Sequence, residues 1–148
     1  MIINSVKEII AQRELPSIPP NRSVRDACLR LTELNIGALV VVESRRLLGV
    51  ISERDVIRKC ICQSRLTAET LVSDIMTVNP VTIDIGDDLP TALALMTKGG
   101  FRHLPVMDDG APVGLLSIRD VPTEYHLMFE RYVEAKASAI HSNGSSPP

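Results

Sequence analysis

The apolar residues of this chain follow two rhythms, one helical and one strand-like, and the same succession occurs twice. After Ser23, the positions Val24, Ala27, Cys28, Leu31 and Leu34 recur at helical spacing. One apolar stripe therefore predicts an amphipathic helix with Ser23 as its N-cap. The run ALVVVE at 38–43 is short, unbroken and rich in Val, as expected of a buried strand. Turn residues at 43–46 and a second run, LLGVIS, predict a hairpin. Ser52 is then placed to open another helix. Ahead of all this stand a short apolar segment, VKEII, and a brief extended piece, PSI.

The second copy runs through VSDIM, PVTI and a helix starting near Asp88. Pro90 is tolerable in a first helical turn, Leu93, Leu95 and Met96 carry the apolar face, and Gly99 and Gly100 end the helix. HLPVMD, the turn Asp108-Asp109-Gly110, PVGLLS and a helix opened by Ser117 complete the unit. An offset of 65 places Ala27 on Ala92, Thr32 on Thr97, Leu39 on Leu104, and Gly49, Ser52, Arg54, Asp55 and Val56 on Gly114, Ser117, Arg119, Asp120 and Val121. Such internal repetition decides the fold reading before any other signal. Each unit reads β-α-β-β-α, and its small sheet cannot bury both faces alone. The prediction is an α/β (α+β) protein of two like units packed with pseudo-twofold symmetry. EYHLMFERYVEAKASAI predicts a further helix, and NGSSPP a frayed or disordered tail.

Composition narrows the function. Aromatic residues make up 3% of the 148, with no Trp, which argues against stacking bases on aromatic rings. A net charge of −2 without a basic run argues against nucleic-acid binding. Cys28, Cys60 and Cys62 are odd in number and form no C-x-x-C, so a reducing compartment is expected, with Cys28 in the core. MIINSVKEII is neither a signal peptide nor an anchor, and no run reaches the length of a membrane span. A cytoplasmic protein with no membrane partner is expected. There is no P-loop and no G-x-G-x-x-G, and His103, His126 and His141 lack metal-site spacing. Hence no catalytic residue, no metal and no required cofactor is expected.

The series V-S-D-I-M-T-x-x-P-V-T, G-F-R-H-L-P-V and G-L-L-S-I-R-D-V resembles the cystathionine-β-synthase (CBS) domain, and N-I-G-A-L-V-V-V with G-V-I-S-E-R-D-V is a weaker version of it. The likeness covers about residues 4 to 125 and divides the chain into CBS domains at 4–62 and 72–128, followed by a C-terminal helix and tail at 129–148. The resemblance implies a stand-alone regulatory module that binds AMP, ADP or ATP between its repeats, with S-adenosylmethionine and NADH as alternative ligands. It also implies a homodimer signalling to an unidentified protein, and no enzymatic activity. The catalytic barrel of inosine monophosphate dehydrogenase, an enzyme that can carry such domains, needs about 250 residues and cannot fit. The rival reading is a ligand-independent dimerisation or interaction scaffold, with Tyr125, Met128, Phe129 and Tyr132 as its partner surface.

The resemblance also nominates site residues. Asp120 and Asp55, each three residues after Ser117 and Ser52, would accept hydrogen bonds from ribose hydroxyls, and the serines would contact ribose or phosphate. The same spacing is that of a capping box, which accounts for both aspartates without a ligand. Arg102 and His103 would reach phosphates, a guanidinium by a bidentate fork and an imidazole by a pH-dependent charge. Their first-copy counterparts are Gly37 and Ala38, so the Asp120 cleft is favoured. Arg119 and Arg54 either face the same phosphates or face water. Val6, Ile36, Gly37 and Ala38 would complete the Asp120 cleft. Val72, Ile75 and Met76, with Phe101 and Arg102, would complete the Asp55 cleft. All of these apolar residues also suit an ordinary core.

Overall fold

The helices begin where side chains take up amides that the helix itself leaves free. In the computed structural model, which describes residues 5–144 with side-chain surroundings through residue 139, Ser5 caps α1 (Val6–Ile10) by accepting from the Glu8 amide. Ser23 caps α2 (Val24–Leu34) through the Asp26 amide. α2 ends on Asn35 at φ 53°. The matching helix of the second copy, α5 (Leu89–Gly99), is capped by Asp88, carries Pro90 in its first turn and ends on Gly100 at φ 70°. Left-handed residues thus close both helices at equivalent positions.

Each copy contributes a hairpin with a parallel strand beside it. β1 (Ser17–Ile18) pairs parallel with β2 (Ala38–Glu43), which pairs antiparallel with β3 (Arg46–Ser52). The turn residues Ser44 and Arg45 both have positive φ, the conformation that matches strand twist in two-residue hairpins. β4 (Thr77–Val78) adds an antiparallel edge to β3. In the second sheet, β5 (Ile83–Asp84) lies parallel to β6 (His103–Asp108), which pairs with β7 (Ala111–Ser117) across a turn with Asp109 and Gly110 at positive φ. Register shifts interrupt both hairpins at the same point, Val41/Val42 and Val106/Met107.

The leading segment of each copy packs in the core of the other. Val6, Ile9 and Ile10 of α1 are buried with Leu89, Leu93, Met96, Leu104 and Leu116. Val72 and Ile75 of α4 (Val72–Ile75) are buried with Val24, Leu31, Leu39 and Ile51. Bridges of Ser5 with Asp88 and of Ser23 with Leu71 fix the two crossings. The sheets meet through Ala38, Val40 and Leu115, flanked by Leu15, Val42, Leu47 and Val50. β2 is therefore apolar on both faces, as its unbroken Val-rich run predicts.

Three expectations need correction or comment. The helix predicted from Ser117 is only a single 3-10 turn at Ile118–Asp120. Pro122 follows, and a proline pushes the preceding residue into extended backbone: Val121 has ψ 123°. Its counterpart after Ser52, where no proline intervenes, is the full helix α3 (Glu53–Lys59). After Pro122 the chain re-enters helix as α6 (Thr123–Gly144), which runs without a break across the expected boundary at residue 128. Asn143 and Gly144 of the predicted tail belong to it. The rest of that tail, and residue 4 at the start of the first expected domain, lie outside the described residues. Cys28 is only half-buried against the core, Cys60 is fully buried with its thiol donating to the Arg65 carbonyl at 3.4 Å, and Cys62 is exposed.

Candidate functional site

Both S-x-x-D patterns form capping boxes. Beside each, the chain is anchored identically to the other strand of its hairpin: Glu53 N donates to Gly37 O at 3.0 Å and Ile118 N to Arg102 O at 2.8 Å. The entry to β2 or β6 therefore sits next to the aspartate of its own copy.

The surroundings of the two carboxylates differ. Asp55 is buried. Its Oδ2 accepts from the Ser52 amide at 3.0 Å and the Ser52 hydroxyl at 3.1 Å. Its Oδ1 accepts from Lys59 Nζ at 3.1 Å and Thr77 Oγ1 at 3.4 Å. Lys59 also donates to the Ile75 carbonyl at 3.3 Å, so Asp55 and Lys59 together tie α3 to the end of α4 and the start of β4. Both of its oxygens are engaged by groups of the fold.

Asp120 keeps one oxygen for its cap: Oδ2 accepts from the Ser117 amide at 2.8 Å, while Ser117 Oγ accepts from the Arg119 amide at 3.2 Å. Its Oδ1 meets a residue from the far end of the chain, Arg13, at 2.8 Å. Arg13 lies on the linker between α1 and β1. The bond to Asp120 raises its pKa above the ordinary guanidinium value.

His103 stands over Gly37: a Cβ built on that glycine would lie 3.6 Å from ring Cε1, 3.7 Å from Nε2 and 3.8 Å from Glu53 Oε2. Burial lowers the His103 pKa from its ordinary 6.5; the charges of Asp120 and Glu53 oppose that shift, and those of Arg102 and Arg119 reinforce it. The structure thus gathers Asp120, Ser117, Arg102, His103, Arg119 and Gly37, from both copies, around one locus. Arg13 and Glu53 join them without any sequence signal having marked them. Chemically, the locus offers a carboxylate acceptor beside several cationic donors.

The other expected site residues are spread through the cores. Val6, Ala38 and Val72 are fully buried and Ile75 nearly so. Ile36 and Met76 pack half-buried on the first core, and Phe101 on the second, where its ring lies over Gly99. Arg54, like Arg102 and Arg119, is exposed. Two depressions of about 360 Å³ lie elsewhere, one beside the hairpin turns at Arg46, Asn79, Met107 and Gly110, the other between α5 and α6 over Leu93, Ile118 and Phe129. Among the described residues no group of three His, Cys, Asp or Glu is placed to hold a metal ion, and no helix is long and apolar enough to cross a membrane.

Comparison with known proteins places the fold. The CBS domain family matches residues 6–61 and 72–124. The mitochondrial CBS domain-containing protein CBSX3 of Arabidopsis thaliana is 42% identical over 104 residues, covering 67% of this chain; the chain spans 50% of that protein's length. Among solved structures, the CBS domain protein PAE2072 from Pyrobaculum aerophilum, complexed with AMP, superposes with a TM-score of 0.75 at 27% identity, over 85% of this chain and 96% of that one. The CBS domain pair of protein MJ0100, in complex with 5′-methylthioadenosine and S-adenosyl-L-methionine, superposes at 0.70 and 25% identity, over 89% and 97%.

Proposed function

Because this chain belongs to the CBS-domain family, we propose that it is a regulatory module that senses an adenine nucleotide, AMP, ADP or ATP, bound in the Asp120 cleft. The carrying observation is the unequal state of the two carboxylates. Asp55 is saturated by Ser52, Lys59 and Thr77. Asp120 is held on one oxygen by its cap and on the other by a side chain that is 48% exposed.

In this reading Asp120 accepts from the ribose hydroxyls, an ionised carboxylate having two oxygens for two adjacent donors. Ser117 contacts the ribose or phosphate. Arg102, Arg119 and His103 receive the phosphate, and Ile36, Gly37 and Ala38 border the adenine with Val6 behind them. Asp55, Ser52 and Arg54, with Val72, Ile75, Met76 and Phe101, form the lesser cleft. The module works as a homodimer that signals to another protein and catalyses no reaction. A ligand can bias the packing of the repeats only if it binds two arrangements with different affinity.

Support comes from the AMP complex of PAE2072 and the adenosyl complexes of MJ0100. The MJ0100 complex keeps S-adenosylmethionine as an alternative ligand to test, and NADH is tested beside it on the family resemblance alone. The experiment is calorimetric titration of nucleotide-stripped protein with these ligands. Saturable binding of an adenine nucleotide supports the reading, and no heat with an unchanged melting temperature defeats it.

One observation favours a second reading, an interaction scaffold without a ligand. Each aspartate already has a partner from the fold on both oxygens, a cap on one and a side chain on the other, and α6 presents Met128 and Tyr132 at 64% and 56% exposure. A stable dimer that binds none of the ligands would establish it.

A further inference from the structure

Arg13 has no equivalent in the other copy. The cation on Asp55 is Lys59, four residues along the same helix. The cation on Asp120 is 107 residues away, on the strand of chain that carries α1 from the second core back to the first sheet. Between the leading segments, which align at an offset of 66, and the offset of 65 that follows, Arg13 falls on Asn79 or Val78, neither of them charged.

Any ribose that takes up Asp120 Oδ1 competes with this guanidinium, which stays charged at every accessible pH. Three permanent cations, Arg13, Arg102 and Arg119, face two carboxylates, Asp120 and Glu53, at the locus around His103. Once a ribose occupies Asp120, Arg13 loses its anion. A phosphate replaces it, because Arg pairs with phosphate as readily as with carboxylate. A neutral thioether leaves the guanidinium unpaired, and a sulfonium adds to the positive surplus.

On the nucleotide-binding reading above, we infer that Arg13 is a specificity-determining residue that makes the Asp120 cleft select phosphorylated adenosines over neutral or cationic adenosyl ligands. It releases the carboxylate to the ribose and turns to the phosphate. The exchange is possible because Arg13 is half-exposed on a linker outside any helix or strand.

The test is calorimetry on the full chain, as wild type, Arg13→Ala and Arg13→Lys, with AMP and with 5′-methylthioadenosine. Thermal melting confirms that each variant folds. The wild type is expected to prefer AMP. In Arg13→Ala the preference should shrink by roughly ten- to a hundredfold, the span of one charge-assisted hydrogen bond. AMP weakens while 5′-methylthioadenosine holds or tightens, and Arg13→Lys falls between. A preference unchanged in Arg13→Ala, or both ligands weakened in parallel, overturns the role of Arg13 while leaving the nucleotide reading intact. A wild type that binds neither ligand overturns both.

Discussion

Gly114 lies against Ile10 so closely that a Cβ built on the glycine would stand 3.1 Å from three atoms of the isoleucine side chain. Ile10 comes from the segment that leads the first copy, and Gly114 from the second hairpin. Gly49, at the matching place in the first hairpin, lies under the segment that leads the second copy: its Cβ would stand 2.5 Å from the Thr77 carbonyl and 3.0 Å from Met76 Sδ. Small residues at these two positions let each leading segment close over the other copy's sheet.

The two glycines should not respond alike to substitution. In Gly49→Ala the methyl meets a backbone carbonyl held in the β3–β4 ladder, so the strand must shift. A destabilisation of about 1–3 kcal/mol is expected, in the range of overpacked cores. In Gly114→Ala only the Ile10 side chain has to give, and the loss should be smaller. Urea unfolding of both variants checks the order.

The crossing also predicts where damage is felt. Ile75 is 1% exposed in the core of the first copy. Ile75→Ala should cost about 2–5 kcal/mol, as large-to-small core changes do. Hydrogen exchange should accelerate first in β2 and β3, although Ile75 belongs by sequence to the second copy. Equal acceleration in β6 and β7 would speak against the crossing.

Asp55→Ala should act on stability and hardly on ligand affinity. It removes the acceptor of the Ser52 amide and of Lys59. A loss of about 1–2 kcal/mol, the upper range for a helix cap, is expected in denaturant titration, with AMP affinity nearly unchanged.

His103 gives the site a pH dependence whose sign is fixed. Burial lowers its folded pKa below 6.5, so the folded state favours the neutral ring. Its contribution to stability is complete above 6.5 and is lost as pH falls from there toward the folded pKa. Thermal melting between about pH 7 and 5 should show His103→Gln losing less stability than the wild type. AMP binding runs the other way. A phosphate beside the ring favours the imidazolium over the present balance of Asp120 and Glu53 against Arg102 and Arg119. The phosphate itself takes up a proton in the same range, so the sign is fixed for the comparison: below pH 6.5 the wild type should gain AMP affinity relative to His103→Gln.

Much of this was legible in the sequence because it depends on neighbours in the chain. The helix from Ser23, the β2–β3 and β6–β7 hairpins and the Gly100 terminus follow from spacing, turn residues and caps. The capping boxes at Asp55 and Asp120 follow from the S-x-x-D interval. The short turn at Ile118–Asp120 depends on Pro122, a local sign that a reading by repetition of the first copy does not contain. Arg13 carried no signal: it sits in no motif, no charged residue matches it in the other copy, and only the packing of α1 into the other core delivers it to Asp120. Contacts created by the crossing of leading segments belong to tertiary structure, and periodicity along one copy does not contain them.

Occupation of the Asp120 cleft by an adenine nucleotide can be followed residue by residue through the backbone amide resonances during titration with AMP. Saturable shifts are expected at Ile36–Ala38, Arg102–His103 and Ser117–Asp120, with Asp55, Lys59 and Thr77 little changed, and the shifts should be lost in Asp120→Ala. Shifts centred on Asp55, Lys59 and Thr77, or none at saturating AMP, would sink this reading.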